Sequence, residues 1–134
     1  MAWLLYRERE RTVSSPLVLI VDDEPGLLRL FVGLVERLDC ETLQAEDGAA
    51  ALEILEHETP DLLILDLAMP EMSGSEVLEY VRSVPRLETM KVMILTARPN
   101  LIPEIVQMGI DYWVSKPVMP KDFVEMVAEL LNGY

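Results

Sequence analysis

The sequence predicts an α/β domain: a doubly wound, five-stranded parallel sheet with strand order 2-1-3-4-5. Three features of the chain point there. Short apolar runs without alternation recur, as in strands buried on both faces. Each is followed by residues whose apolar positions fall at helical spacing. The strand–helix unit occurs five times in succession, which means a parallel sheet flanked by helices, with right-handed crossovers limiting the topologies. At 134 residues, 51% of them apolar, the chain is long enough for one domain with a real core.

Residues 1–15, MAWLLYRERERTVSS, form a separate extension with an apolar head and alternating Arg and Glu. Glu–Arg pairs there support a short, partly ordered helix only weakly, since isolated helices of this length are marginal in water. The domain itself is expected over 16–134. Residues 17–21 are the first strand, rich in β-branched residues and running into Asp22-Asp23-Glu24-Pro25-Gly26. Residues 27–38 follow as a helix, with Leu27, Leu30, Phe31, Leu34, Val35 and Leu38 on its apolar face. Residues 42–45 are a weaker second strand. Glu46-Asp47-Gly48 turns into a helix over 49–57 that buries Ala51 or Leu52, and Leu55. His57 near its end suits the helix dipole and has no second histidine at ligand spacing.

The third strand, in the stretch LLILDLAMP from Leu62, ends at Asp66, because Met69-Pro70 forbids simple continuation. A helix over 75–82 turns Val77, Leu78 and Val81 inward, and 83–89, with Pro85, reads as a loop or frayed turn. Residues 91–95 are the fourth strand, ending in Thr96-Ala97. Pro99 and Pro103 restrict the helix that follows to a short one, starting near Leu101 and ending before Gly109. Residues 111–115 are the last strand, ending in Lys116-Pro117. Residues 120–131 are the last helix, with Phe123, Val127, Leu130 and Leu131 inward and Asn132-Gly133 as its stop. The whole is a flavodoxin-like (βα)5 arrangement with a shortened fourth helix.

There are 24 acids against 11 Lys and Arg, a net charge of −13. Such a surface repels nucleic acid and anionic membranes, so no direct nucleic-acid binding is expected. No apolar run approaches the length of a membrane span, and membrane insertion is not expected. Cys40 is the only cysteine, which excludes an internal disulfide, fits a reducing cytoplasmic setting and reads as a small buried apolar residue.

In the order 2-1-3-4-5 the first and third strands are neighbours. Asp22, Asp23 and Asp66 then gather at one sheet edge, where such folds bind ligands. The fourth strand delivers Thr96 to that edge and the fifth delivers Lys116. Taken singly, each residue has an ordinary reading as a turn, cap or solvated group. Together, three carboxylates need compensation for their mutual repulsion. A hard divalent cation held by oxygen ligands supplies it, and Mg2+ suits best, with Mn2+ as a substitute. Metal, ammonium and hydroxyl would all face the oxygens of a phosphoryl group, and an aspartate can attack phosphorus to form an acyl phosphate.

Residues 16–134 resemble the receiver domain of the two-component response regulators. VLIVDDEPG, LLILDLAMPEMSG, MILTA and WVSKP occur in that family's order and at near-family spacing. The resemblance implies that Asp66 is the phosphoacceptor and that Asp22, Asp23, Asp66 and the backbone carbonyl of Ala68 hold Mg2+. It implies that Thr96, followed by Ala97, is the switch hydroxyl, that Lys116 binds the phosphoryl group and that Trp113 is the aromatic switch residue. Lys116-Pro117 falls where the family has a cis peptide. Ala68 and Arg98 would tune dephosphorylation, with Arg98 screening the phosphorus that Ala68 leaves open. The implied partners are a sensor histidine kinase or phosphotransfer protein, and a second copy through the helix four–strand five–helix five face or the 1–15 extension. The chain between Thr96 and Trp113 is shorter than the family's, and Trp is bulkier than the usual Tyr or Phe.

Two other readings fit the fold. A metal-dependent phosphatase would use Asp66 as nucleophile, but Ala68 stands where its second acid belongs. A phosphorylation-independent module would normally lack some of the acids or the lysine, all of which are here.

Overall fold

The computed structural model describes residues 15–132. The expected extension falls outside the described residues except for Ser15, and so does Gly133 of the expected helix stop. Five parallel strands, β1 (Leu17–Val21), β2 (Glu41–Ala45), β3 (Leu62–Asp66), β4 (Lys91–Thr96) and β5 (Tyr112–Ser115), form one sheet in the order β2-β1-β3-β4-β5. β1 and β3 are buried at every position, as their unbroken apolar runs require. β2 and β5 are the edges. All strand C-termini therefore lie along one rim.

Helices cover both faces: α1 (Pro25–Glu36), α2 (Gly48–His57), α3 (Gly74–Ser83), α4 (Ile102–Ile105) and α5 (Pro120–Leu131). Alternation along the strands splits the core into two layers. Leu19, Val21, Leu63, Leu65, Val92 and Ile94 pack with α2, α3 and α4. Val18, Ile20, Leu62, Ile64, Met93 and Leu95 pack with α1 and α5, where Phe31 stacks on Phe123 at 4.6 Å between ring centroids.

Several local boundaries differ from the sequence reading. α1 buries Leu28, Phe31, Leu34 and Val35, whereas Leu30 is 45% exposed and Leu27 and Leu38 are half-buried. The run LLRLF admits two helical phases, and the one led by Leu28 is the phase that faces the core. On α5, Phe123, Val127 and Leu131 are buried, with Leu130 at the margin. On α2 it is Ala51, not Leu52, that is buried with Leu55. Of the loop or frayed turn expected at 83–89, a turn forms: Pro85–Leu87 make a 3-10 turn, and it places Leu87 fully in the core, which the sequence did not indicate. β4 extends to Thr96. β5 begins at Tyr112, because the carboxylate of Asp111 accepts from the Val92 amide at 2.8 Å at that strand's start.

Capping chemistry sets two helix starts. Asp47 accepts from the Ala50 amide at 2.7 Å before α2. The Ser73 amide donates to the Glu76 carboxylate at 3.0 Å before α3. The fourth helical segment is short, as its prolines require: a 3-10 turn (Pro99–Leu101), one α-turn with Pro103 in its first positions, and a second 3-10 turn (Val106–Met108) that ends at left-handed Gly109.

Phe123 has no exposed surface and joins α5 to α1. Phe123→Ala should lower unfolding stability by about 3–5 kcal/mol, measured by urea denaturation. A loss below about 1 kcal/mol would mean that the two helices are not packed through these rings.

Candidate functional site at the sheet rim

Four strand ends build the site. β1 runs directly into Asp22 and Asp23, β3 ends on Asp66, β4 ends on Thr96, and β5 is followed by Lys116. Backbone pairing continues past the strands at two of these points. The Asp22 amide donates to Ala45 O at 3.2 Å and the Lys116 amide to Thr96 O at 2.8 Å, so both side chains are carried on ordered backbone.

Three of the ends repeat one local device. Oδ1 of Asp22 accepts from the Glu24 amide at 2.9 Å. Oδ1 of Asp66 accepts from the Ala68 amide at 3.0 Å. Oγ1 of Thr96 accepts from the Arg98 amide at 2.9 Å. A short polar side chain that bonds the amide two residues on closes a turn of its own. The turn fixes one carboxylate oxygen and leaves the other to face the rim. In both aspartates that second oxygen meets the same cation: Lys116 Nζ lies 2.7 Å from Asp22 Oδ2 and 3.3 Å from Asp66 Oδ2.

These groups are withdrawn from water. Asp22 is 1% exposed, Asp66 4% and Thr96 0%. Burial pushes the Asp66 carboxyl up from 3.8 to about 6, against the lowering effects of the Lys116 charge and the Ala68 amide. Burial also disfavours the Lys116 ammonium, but hydrogen bonding to Asp22 and the charges of Asp66 and Asp22 outweigh it, leaving its pKa above the ordinary lysine value. Among the described residues, no buried side-chain nitrogen or oxygen lacks a partner.

Carboxylate oxygens of Asp22, Asp23 and Asp66 all lie within 4.8 Å of one another. This all-oxygen donor set, with Asp23 only half-buried, fits a small hard cation approached from solvent.

The remaining sequence-predicted residues take distinct places. Ala68 is half-buried beside Asp66, while Ala97 and Arg98 are exposed after Thr96. The Lys116–Pro117 peptide is cis. Trp113 pairs across β4 with Ile94 and is 44% exposed, with its side chain outside the core.

Gly74 belongs to the site too, though no motif logic singled it out. Its amide donates to Leu67 O at 3.1 Å, and a Cβ there would stand 2.4 Å from Asp66 O and 2.7 Å from Leu67 Cα. Only glycine lets α3 start this close to the Asp66 backbone. The Met-Pro-x-x-x-Gly run after Asp66 was the available signal, but what the glycine touches is a tertiary fact.

The model of the response regulator receiver domain matches residues 18–128. The chain is 32% identical over 129 residues to hybrid signal transduction histidine kinase D of Dictyostelium discoideum, covering 95% of this chain but only 8% of that protein. It is 32% identical over 117 residues to the polar-differentiation response regulator DivK of Brucella anthropi, covering 86% of this chain and 95% of that one. Among solved structures, the response regulator TrrA of Thermotoga maritima, in complex with Mg2+ and BeF, superposes with a TM-score of 0.76 at 30% identity, covering 86% of this chain and 98% of that one. No described helix is long and apolar enough to cross a membrane.

The raised Asp66 pKa fixes a sign for stability. Between 3.8 and about 6 the native state holds a proton that the unfolded chain has released, so this group's contribution is present below that window and lost as pH rises through it. With divalent cations chelated, Asp66→Asn should therefore stabilise the fold by about 1–3 kcal/mol near pH 7, with the gain vanishing toward pH 4. Urea midpoints at both pH values measure it. A gain independent of pH, or none at pH 7, would contradict the buried-charge account.

Proposed function

This chain belongs to the response regulator receiver domain family of two-component signalling, and from that premise we propose that Asp66 is its phosphoacceptor. The donor is the phosphohistidine of a sensor histidine kinase or of a phosphotransfer protein. The observation that carries this reading is the shared ammonium: Lys116 bridges the rim-facing Oδ2 oxygens of Asp22 and Asp66, next to a third carboxylate.

Asp22 and Asp23, with Asp66 and the backbone carbonyl of Ala68, would hold Mg2+, or Mn2+ in its place. TrrA, solved with Mg2+ and BeF, supports that choice. When bound, the ion neutralises charge on the transferring phosphoryl oxygens. At neutral pH Asp66, with its pKa of about 6, is ionised and nucleophilic. Its carboxylate oxygen bonds to phosphorus as the donor P–N bond breaks. The bonding pair stays on the imidazole nitrogen, which takes a proton from solvent. Lys116 needs only to exchange its longer contact, the one to Asp66 Oδ2, for a phosphoryl oxygen while keeping Asp22.

The Thr96 hydroxyl, which accepts from the Arg98 amide, still has its own hydrogen to donate to a phosphoryl oxygen. That new bond biases residues 97–101, including Ala97, and opens space toward which Trp113 turns from its exposed position. The switch is a population shift driven by contacts that exist only with the phosphoryl group. The domain promotes its own phosphorylation and dephosphorylation and turns over no separate substrate.

Incubation with acetyl phosphate and Mg2+ should add one phosphoryl mass to the wild type, none to Asp66→Asn, and none after chelation. Phosphorylation of Asp66→Asn at an equal rate would overturn the assignment. Ala68→Asn and Arg98→Ala should each change the lifetime of the acyl phosphate, read as phosphate release. No change in either would remove both residues from the tuning role.

A further inference from the structure

The last carbonyls of a helical segment have no donors within it. At the end of residues 99–108 they are met by a side chain from another helix. Arg82, in the last turn of α3, donates from Nε to Met108 O at 2.9 Å and from Nη2 to Gly109 O. The chain leaves this point through Gly109, at φ 82, whose own amide bonds Val106 O at 3.2 Å. The partners lie 26 and 27 residues from Arg82 in sequence, so this is a tertiary cap. It uses two neighbouring nitrogens of one planar fork, a geometry that a lysine cannot reproduce.

The other end of α3 is equally constrained. Gly74 abuts the backbone of Asp66 and Leu67, with no room for a Cβ. α3 is thus a ten-residue strut, about 15 Å long, from the Asp66 backbone to the far end of the fourth helical segment. The near end of that segment hangs from Thr96 through the Arg98 amide. Between the two attachments stands a single α-turn bracketed by 3-10 turns.

We propose that Arg82 is a latch that fixes the C-terminal end of this segment on α3 and makes it the pivot for motion of residues 97–105. The moving part rests on the phosphoryl reading given above; the latch itself does not. A change at Thr96 is absorbed on the near side of the pivot, while the start of β5 stays in place.

Amide hydrogen exchange of the full chain, followed by mass spectrometry, tests both parts, with beryllofluoride plus Mg2+ as the phosphoryl mimic. Without the mimic, Arg82→Met should speed exchange across 105–112 at least about tenfold, since each of the two lost hydrogen bonds has a charged donor, and leave β1 and β3 amides unchanged. Arg82→Lys should recover less than half of that protection. Arg82→Gln, with a smaller change in polarity, guards against a variant that fails to fold. Unchanged exchange at 105–112 in both the Met and Gln variants, or full recovery by lysine, overturns the latch. With the mimic, wild-type changes within 97–112 should be confined to 97–105, and should spread into 106–112 in Arg82→Met. Wild-type changes running evenly through 97–112 overturn the pivot. If the mimic alters no amide near Asp66, the phosphoryl reading fails instead, and the ligand-free comparison still decides the latch.

Discussion

One ammonium holds the rim together. Asp22 and Asp66 are buried carboxylates at the ends of adjacent strands, and the cation between them offsets their mutual repulsion. Lys116 arrives from the far edge of the sheet and spans both. Removing Lys116 would leave two buried carboxylates facing each other without compensation, at a cost of about 3–5 kcal/mol. The arrangement therefore depends on the lysine more than on either acid. It is also unequal: the bond to Asp22 is the shorter, and the weaker hold on Asp66 leaves that carboxylate the one able to change partners. The raised pKa of Asp66 expresses the same inequality, since burial wins over the lysine's pull.

The side-chain-to-amide turns at Asp22, Asp66 and Thr96 explain how a small site can be both polar and rigid. Each turn uses up one oxygen on its own loop. The free valences that remain are few and directed: one oxygen from each buried aspartate, the outer carboxylate of Asp23, and one hydroxyl hydrogen. A site built this way has little to reorganise when charge arrives.

The sheet and its rim were legible in the sequence because parallel topology leaves little freedom. Once 17–21 and 62–66 are buried strands side by side, Asp22 and Asp66 must end together, and the order of the remaining strands delivers Thr96 and Lys116 to them. The short fourth helix was legible because Pro99 and Pro103 act on local backbone. What stayed hidden depends on distance rather than pattern. The apolar pattern of α1 put Leu27 and Leu30 on the inner face and passed over Leu28, the one that packing against the sheet buries. Leu87 sits among polar neighbours and is buried only because a 3-10 turn points it inward. The reach of Arg82 to Met108 has no local signature at all, and the run that ends in Gly74 does not say what that glycine touches.

The sheet is also lopsided in its protection. β1, β3 and β4 are enclosed almost completely, whereas β5 is four residues long, mostly exposed, and approached through a segment containing one α-turn and no fully buried residues except Ile102 and Ile105. Opening there exposes little apolar surface, so it costs far less than opening the centre. Among the described residues, a protease added to the native molecule would cut first within 97–109, and the nicked protein would keep a paired β2-β1-β3-β4 body with the acids still gathered on it.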